Sequence, residues 1–127
     1  MKTVVFDASA VLALIKHEDG CKIVQKYLGM CIISAVNFTE VLTVMSRGGC
    51  NMKENIDMLM NTIPNIIPFN QEQACIAASF DIITKEYGLS LGDRVCLALA
   101  KYKNIPVLTA DKILSKLDIG VEVVLIR

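Results

Sequence analysis

At 127 residues the chain fits one domain, residues 1–127, with enough length for a real core and no room for a second catalytic unit. Lys and Arg balance Asp and Glu at 13 each, so the bulk positive charge of many nucleic-acid binders is absent, though Arg47, Lys85, Arg94, Lys101 and Lys103 can still supply a local basic rim. The apolar fraction, 54%, exceeds the usual ~45–50% and points to surface destined for another protein chain as well as a core.

No apolar run approaches the ~18–20 residues of a membrane helix, and the start of the chain does not read as a signal peptide, so a soluble, cytoplasmic protein without membrane association is expected. The five cysteines (Cys21, Cys31, Cys50, Cys75, Cys96) are widely spaced, and no Cys-x-x-Cys pair exists. They read as reduced core thiols rather than a disulfide frame or zinc site.

In chain order, residues 3–6 form an apolar, β-branched run that predicts a buried strand, followed by short helices over 8–15 and 21–28. A second strand is expected at 31–34 and a helix at 36–46, stopped by Gly48 and Gly49. A helix over 53–63, a strand at 66–69 and a long Ala-rich helix over 71–87 come next, the last ended by Gly88. Residues 91–102 predict a further helix, 106–109 a strand, 112–117 a short helix and 121–126 a final apolar strand. Unbroken apolar strands alternating with helices mean an α/β sandwich: about five parallel strands with helices on both faces.

Four carboxylates stand where this chain is expected to leave a strand and enter a helix: Asp7, Glu40, Asp93 and Asp111. In parallel α/β sheets, ligands gather outside the carboxyl ends of the strands, so acids at several such ends converge on one crevice. Each acid also has a purely structural reading. Ser90-x-x-Asp93 and Asn37-x-x-Glu40 resemble capping boxes, and Asp7 and Asp111 fit plain N-caps. Capping alone, however, is served equally by Ser, Thr or Asn, and here every junction carries an acid. Anions crowded into one crevice repel one another unless a cation joins them. Hard oxygen donors without nearby His or Cys select Mg²⁺ or Mn²⁺, an ion suited to activating water and stabilising charge on a scissile phosphate. Ser9 and Thr109 lie beside the acids as candidate contacts to phosphate or ordered water. Arg94 is a candidate phosphate grip or the ion-pair partner of a neighbouring acid. Asp81 interrupts an apolar helix, and His17 reads as a surface residue closing the first helix.

The segments Phe6-Asp7-Ala8-Ser9-Ala10, Ser34-Ala35-Val36-Asn37 through Glu40-Val41, Ser90-Leu91-Gly92-Asp93-Arg94 and Pro106-Val107-Leu108-Thr109-Ala110-Asp111 together resemble, in order and spacing, the four acidic motifs of PIN-domain proteins. The resemblance covers essentially the whole chain and is specifically to the VapC toxins of type II toxin-antitoxin pairs. It implies a Mg²⁺- or Mn²⁺-dependent endoribonuclease with Asp7, Glu40, Asp93 and Asp111 as catalytic and metal-binding acids, Asp7 and Asp93 foremost. It also implies a homodimer, an RNA substrate such as tRNA or rRNA, and a cognate antitoxin that lays an apolar helical segment across the toxin. The early helices carry apolar residues (Val11, Leu12, Leu14, Ile15, Val24, Tyr27, Leu28) that suit either such a groove or the core itself. The family often places Trp or Phe three residues after its last acid, where this chain has Leu114.

Four other functions compete. A phospho-accepting receiver domain would need paired acids after the first strand, and a dinucleotide-binding domain a Gly-x-Gly-x-x-Gly; neither is present. A PIN nuclease of RNA processing and a catalytically idle PIN-like module that binds RNA or protein share the same motifs, the idle module ordinarily lacking one or more acids.

Overall fold

The computed structural model describes residues 2–49 and 51–127; Cys50, expected as a core thiol, lies outside them. Strands β1 (Val4–Phe6), β2 (Cys31–Ser34), β3 (Ile66–Ile67), β4 (Val107–Thr109) and β5 (Val123–Leu125) form one parallel sheet in the order β3-β2-β1-β4-β5. The helices are α1 (Ala8–Ile15), α2 (Cys21–Lys26), α3 (Ala35–Arg47), α4 (Met52–Thr62), α5 (Gln71–Ile83) and α6 (Leu91–Lys103). This is the expected α/β three-layer architecture.

The layers follow from the period-two alternation of strand side chains. Val4 and Phe6 of β1, Cys31 and Ile33 of β2 and Leu108 of β4 point to one face, where Ala10 and Val11, Val24, Val41 and Leu59 of the first four helices cover them. Val5 and Val107 point to the other, against Ala77 and Phe80 of α5 and the buried run 96–100 of α6. Each large side chain so buried contributes roughly 1.5–3 kcal/mol. Val95 through Ala100 are all buried, which marks α6 as a helix enclosed on every side.

The register pairs Val5 with Ile32 on one side and Val107 on the other, which makes β1 the middle strand. The chain leaves β1 toward β2 but leaves β4 toward β5, so the order reverses between β1 and β4. The crevice of a doubly wound sheet opens at such a reversal, beyond the carboxyl ends of the strands.

Local chemistry modifies several expected elements. The helix expected over 71–87 ends at Ile83: the buried Thr84 hydroxyl donates to the Phe80 carbonyl at 2.6 Å, and a 3₁₀ turn, Lys85–Tyr87, follows. The helix expected over 112–117 is only the 3₁₀ turn Leu114–Lys116, because the Asp111 carboxylate takes the Ile113 amide at 2.9 Å and Leu114 is drawn into the core. Of the cysteines described, all are free; Cys31 and Cys96 are buried, Cys21 is half-buried, and Cys75 is exposed, contrary to its expected core position. No helix among the described residues is long and apolar enough to cross a membrane.

Candidate metal centre

Asp7 is the first residue after β1 and stands at the N-cap position of α1, yet makes no side-chain capping bond. It is 5% exposed, and its Oδ2 accepts hydrogen bonds from Ser9 Oγ and Thr109 Oγ1, both at 2.7 Å. Each hydroxyl has a single proton, and both protons are committed to Asp7. The 3.1 Å contact between the two hydroxyls therefore carries no hydrogen bond of its own. Their lone pairs accept instead from the amides of Ala110 and Asp111, each at 3.0 Å. Thr109 ends β4, so the parallel pairing of β1 with β4 brings residues a hundred positions apart into one network.

The expectation that every acid marks a strand-to-helix junction is corrected at two places. Asp93 lies in the first turn of α6, which follows α5 and a 3₁₀ turn rather than a strand. Its capping box is present: Asp93 accepts from the Ser90 amide at 3.1 Å and its own amide donates to Ser90 Oγ at 3.2 Å. Glu40 lies in the second turn of α3, and no capping box joins it to Asn37. Ser34 caps α3 instead, because β2 runs directly into the helix and fixes its start three residues before Asn37. Asn37 is fully buried; its Nδ2 donates to Glu40 Oε1 at 2.8 Å and to the Gly92 carbonyl at 3.0 Å.

Asp7 and Asp93 lie close enough for the charge of one to act on the other. Burial, the largest cause, pushes the Asp7 carboxyl up from its ordinary value; the Thr109 and Ser9 hydroxyls oppose this, and the Asp93 charge adds to it. The Cys96 thiol, buried one turn beyond Asp93 on α6, is pushed well above the thiol range by burial and then by Asp7, Asp93 and Glu40 together. The charges of three carboxylates thus act on one buried thiol. Asp111 joins through its backbone: its amide binds the Thr109 hydroxyl that binds Asp7, while its carboxylate Oδ1 closes a turn onto Ile113.

Arg94 is directed to α5: its Nη1 donates to the Ala77 carbonyl at 3.2 Å, and its Nε lies 3.9 Å from Asp81. Asp81 is accordingly a surface acid beside an arginine. Of the expected basic rim, Arg47 lines a cleft with an acid, whereas Lys101 binds the Ile119 carbonyl and Lys103 lies over the Tyr102 ring. That cleft, of about 490 Å³, runs along α3 between Val36, Thr39, Glu40, Thr43, Val44 and Arg47. Val11 and Val24 are buried, and Leu12, Leu14, Ile15, Tyr27 and Leu28 pack against the same core, so the early helices spend their apolar residues there.

The donors facing the crevice are carboxylate and hydroxyl oxygens. The Cys96 thiol is fully buried within α6, its proton held more tightly by burial, and His17 is exposed beyond α1. Among the described residues no three Asp, Glu, His or Cys side chains stand together closely enough to hold an ion by themselves. This donor set fits Mg²⁺, which keeps several waters and is bound through one or two carboxylates plus substrate phosphate. Asn37 and Gly92 escaped the sequence analysis as site residues. A glycine in the first turn of a helix, where it weakens the helix, was the available signal of a close approach.

No curated protein matches the sequence significantly. The fold is similar to that of a toxin-antitoxin complex from Klebsiella pneumoniae, with 22% identity over 98% of each chain and a TM-score of 0.72. It is similar also to DNA-bound VapBC from Salmonella typhimurium, with 10% identity over 100% of each chain and a TM-score of 0.77. VapC20 from Mycobacterium tuberculosis, a sarcin-ricin loop cleaving toxin, aligns with 13% identity over 94% of this chain and 99% of its own, at a TM-score of 0.70. Identities this low speak for the fold alone. Residues 4–120 match the PIN domain itself, and on that match the chain belongs to the PIN-domain family.

Proposed function

We propose that this chain is a Mg²⁺- or Mn²⁺-dependent endoribonuclease acting as the toxin of a VapBC-type toxin-antitoxin pair. The observation that supports the reading is the placement of Asp7, bonded to Thr109, at the reversal point of the sheet, with Glu40 set against Gly92 in the first turn of α6, the turn that carries Asp93. A buried carboxylate charge beside a second carboxylate is unfavourable without a cation, and RNA phosphates bring more negative charge to the same place.

When bound, the divalent ion would supply charge stabilisation at a phosphate oxygen and lower the pKa of an attacking water. Asp7 and Asp93 would hold it, with Glu40 on the α3 side and Asp111 beside Thr109. Ser9 and Thr109 orient Asp7 and partly offset the burial that raises its pKa, since hydrogen bonds donated to the charged form favour it. Arg94 meets phosphate in this reading only by leaving the Ala77 carbonyl, so the hydroxyl pair carries more of the arrangement than the arginine.

The partners follow the same reading. The cleft along α3 carries Glu40 among its lining, so an antitoxin helix seated there reaches the acids. A homodimer contact in this reading would cover exposed apolar residues such as Met52, Met58 and Met60 of α4 or Ile82 and Ile83 at the end of α5.

The test is cleavage of total RNA by the purified chain, freed of any copurifying partner, with Mg²⁺ or Mn²⁺, with chelator, and with Asp7→Asn. Discrete fragments that vanish with chelator, and fall by about two orders of magnitude or more with Asp7→Asn, are expected. Folded, metal-loaded protein that cuts nothing would favour an idle PIN module; cleavage confined to precursor RNAs would favour a processing nuclease.

A further inference from the structure

We propose that Asn37 and Gly92 are positioning residues that hold the Glu40 carboxylate at the metal centre, an inference that rests on the metal-dependent reading above. Glu40 is a long, half-buried side chain on α3, and such a chain has up to roughly 2 kcal/mol of rotamer freedom to lose when ordered. Its carboxylate is nonetheless placed at both oxygens, one by a hydrogen bond and one by the space it occupies. Oε1 accepts from Asn37 Nδ2 at 2.8 Å, and Oε2 lies against the backbone at Gly92, where an added Cβ would overlap it. The same Nδ2 donates to the Gly92 carbonyl at 3.0 Å, so one amide ties α3, α6 and the carboxylate together.

The orientation of that amide is determined by its surroundings. With the amide reversed, Oδ1 would face a carboxylate and a carbonyl, two acceptors with no proton between them. In the orientation adopted, Oδ1 is buried without a hydrogen-bond partner. A buried acceptor left unpaired costs about 1–3 kcal/mol, so an apolar side chain of similar shape would serve packing at least as well. The amide makes sense through what its nitrogen holds. Gly92 follows the same logic: glycine in a helix costs roughly 0.5–1 kcal/mol relative to alanine, and here alanine would push into the Glu40 carboxylate.

The experiment measures Mn²⁺ binding by the partner-free full chain in the absence of RNA, by calorimetry, for wild type, Asn37→Ala and Gly92→Ala. Each variant is also made in a Glu40→Ala background, with thermal melts as the fold control. With Glu40 present, each substitution is expected to weaken Mn²⁺ binding roughly tenfold, the size typical of a group that orients a metal ligand. With Glu40→Ala, the same substitutions should change affinity by less than about twofold, because a residue acting through Glu40 has nothing left to act on. Equal weakening in both backgrounds, or none in either, overturns the positioning role while leaving the metal reading intact. Wild-type protein that binds no Mn²⁺ overturns the metal reading and the positioning role with it. Should Asn37→Ala fail to fold, Gly92→Ala carries the test alone, since it leaves the amide in place and displaces only the carboxylate.

Discussion

Asp7 has opposing influences on its proton. Burial and the Asp93 charge raise its pKa, the Thr109 and Ser9 hydroxyls lower it, and the net direction is upward. The folded chain therefore binds the Asp7 proton more tightly than the unfolded chain, whose value stays near 3.8. Stability from this residue is fully present below about that pH and is lost as pH rises through the raised folded value. Asn has no such loss. Denaturant titrations of wild type and Asp7→Asn should show the variant gaining relative stability from about pH 4 upward, then levelling once Asp7 is ionised; a difference independent of pH would contradict it. Cys96 adds nothing to this curve below neutrality, because its thiol is driven further toward the protonated state. Asp7 was legible in the sequence as an acid ending an apolar run. Its two hydroxyl partners were visible only as neighbours of acids, since what joins Ser9 to Thr109 is strand pairing across a hundred residues.

At the scale of elements, α6 is where structural and chemical duties meet. Ser90 and Asp93 close its first turn reciprocally, and Asp93 also charges the crevice. Ser90→Ala should therefore lower stability by about 1 kcal/mol, the usual cost of a lost N-cap, read as a drop in denaturation midpoint at unchanged slope. The sequence showed this box correctly and the Asn37–Glu40 box incorrectly, for one reason: a capping box depends on where the helix begins, and β2 running straight into α3 sets that start at Ser34. The entry to α2 is a second fixed point. Gly20 has φ +93°, and a Cβ there would lie 2.6 Å from the Ile126 carbonyl oxygen. Gly20→Ala combines a left-handed backbone with a backbone clash, so a loss of roughly 2 kcal/mol or more is expected in thermal or chemical denaturation. A neutral result would mean that the backbone at Ile126 yields easily.

For the whole molecule, the sheet order brings acid-bearing ends together that the sequence keeps apart. Asp7 and Thr109 meet because β1 and β4 are neighbours, and α3 and α6 lean on each other through Asn37 and the Gly92 carbonyl. A cation that binds the folded chain and not the unfolded one stabilises it by mass action, about 2.7 kcal/mol at a hundredfold excess over its dissociation constant. Melting of the partner-free chain should therefore shift upward with Mg²⁺ or Mn²⁺ and return with chelator. In Asp7→Asn the shift should be strongly reduced; an equal shift in both proteins would place the ion elsewhere.

The sequence alone determined the fold class, because unbroken β-branched runs separated by helical periodicity leave a parallel, doubly covered sheet as the way to bury both faces. It also singled out the four acids and the chemistry their oxygens favour. Only the tertiary structure decided how those acids are held: Asp7 by two hydroxyls, Asp93 within a helix cap, Glu40 between a buried amide and a glycine, and Asp111 by its own turn. Period and propensity are local properties of a chain, whereas the contacts that orient a carboxylate come from strand neighbours and crossing helices that no local pattern encodes.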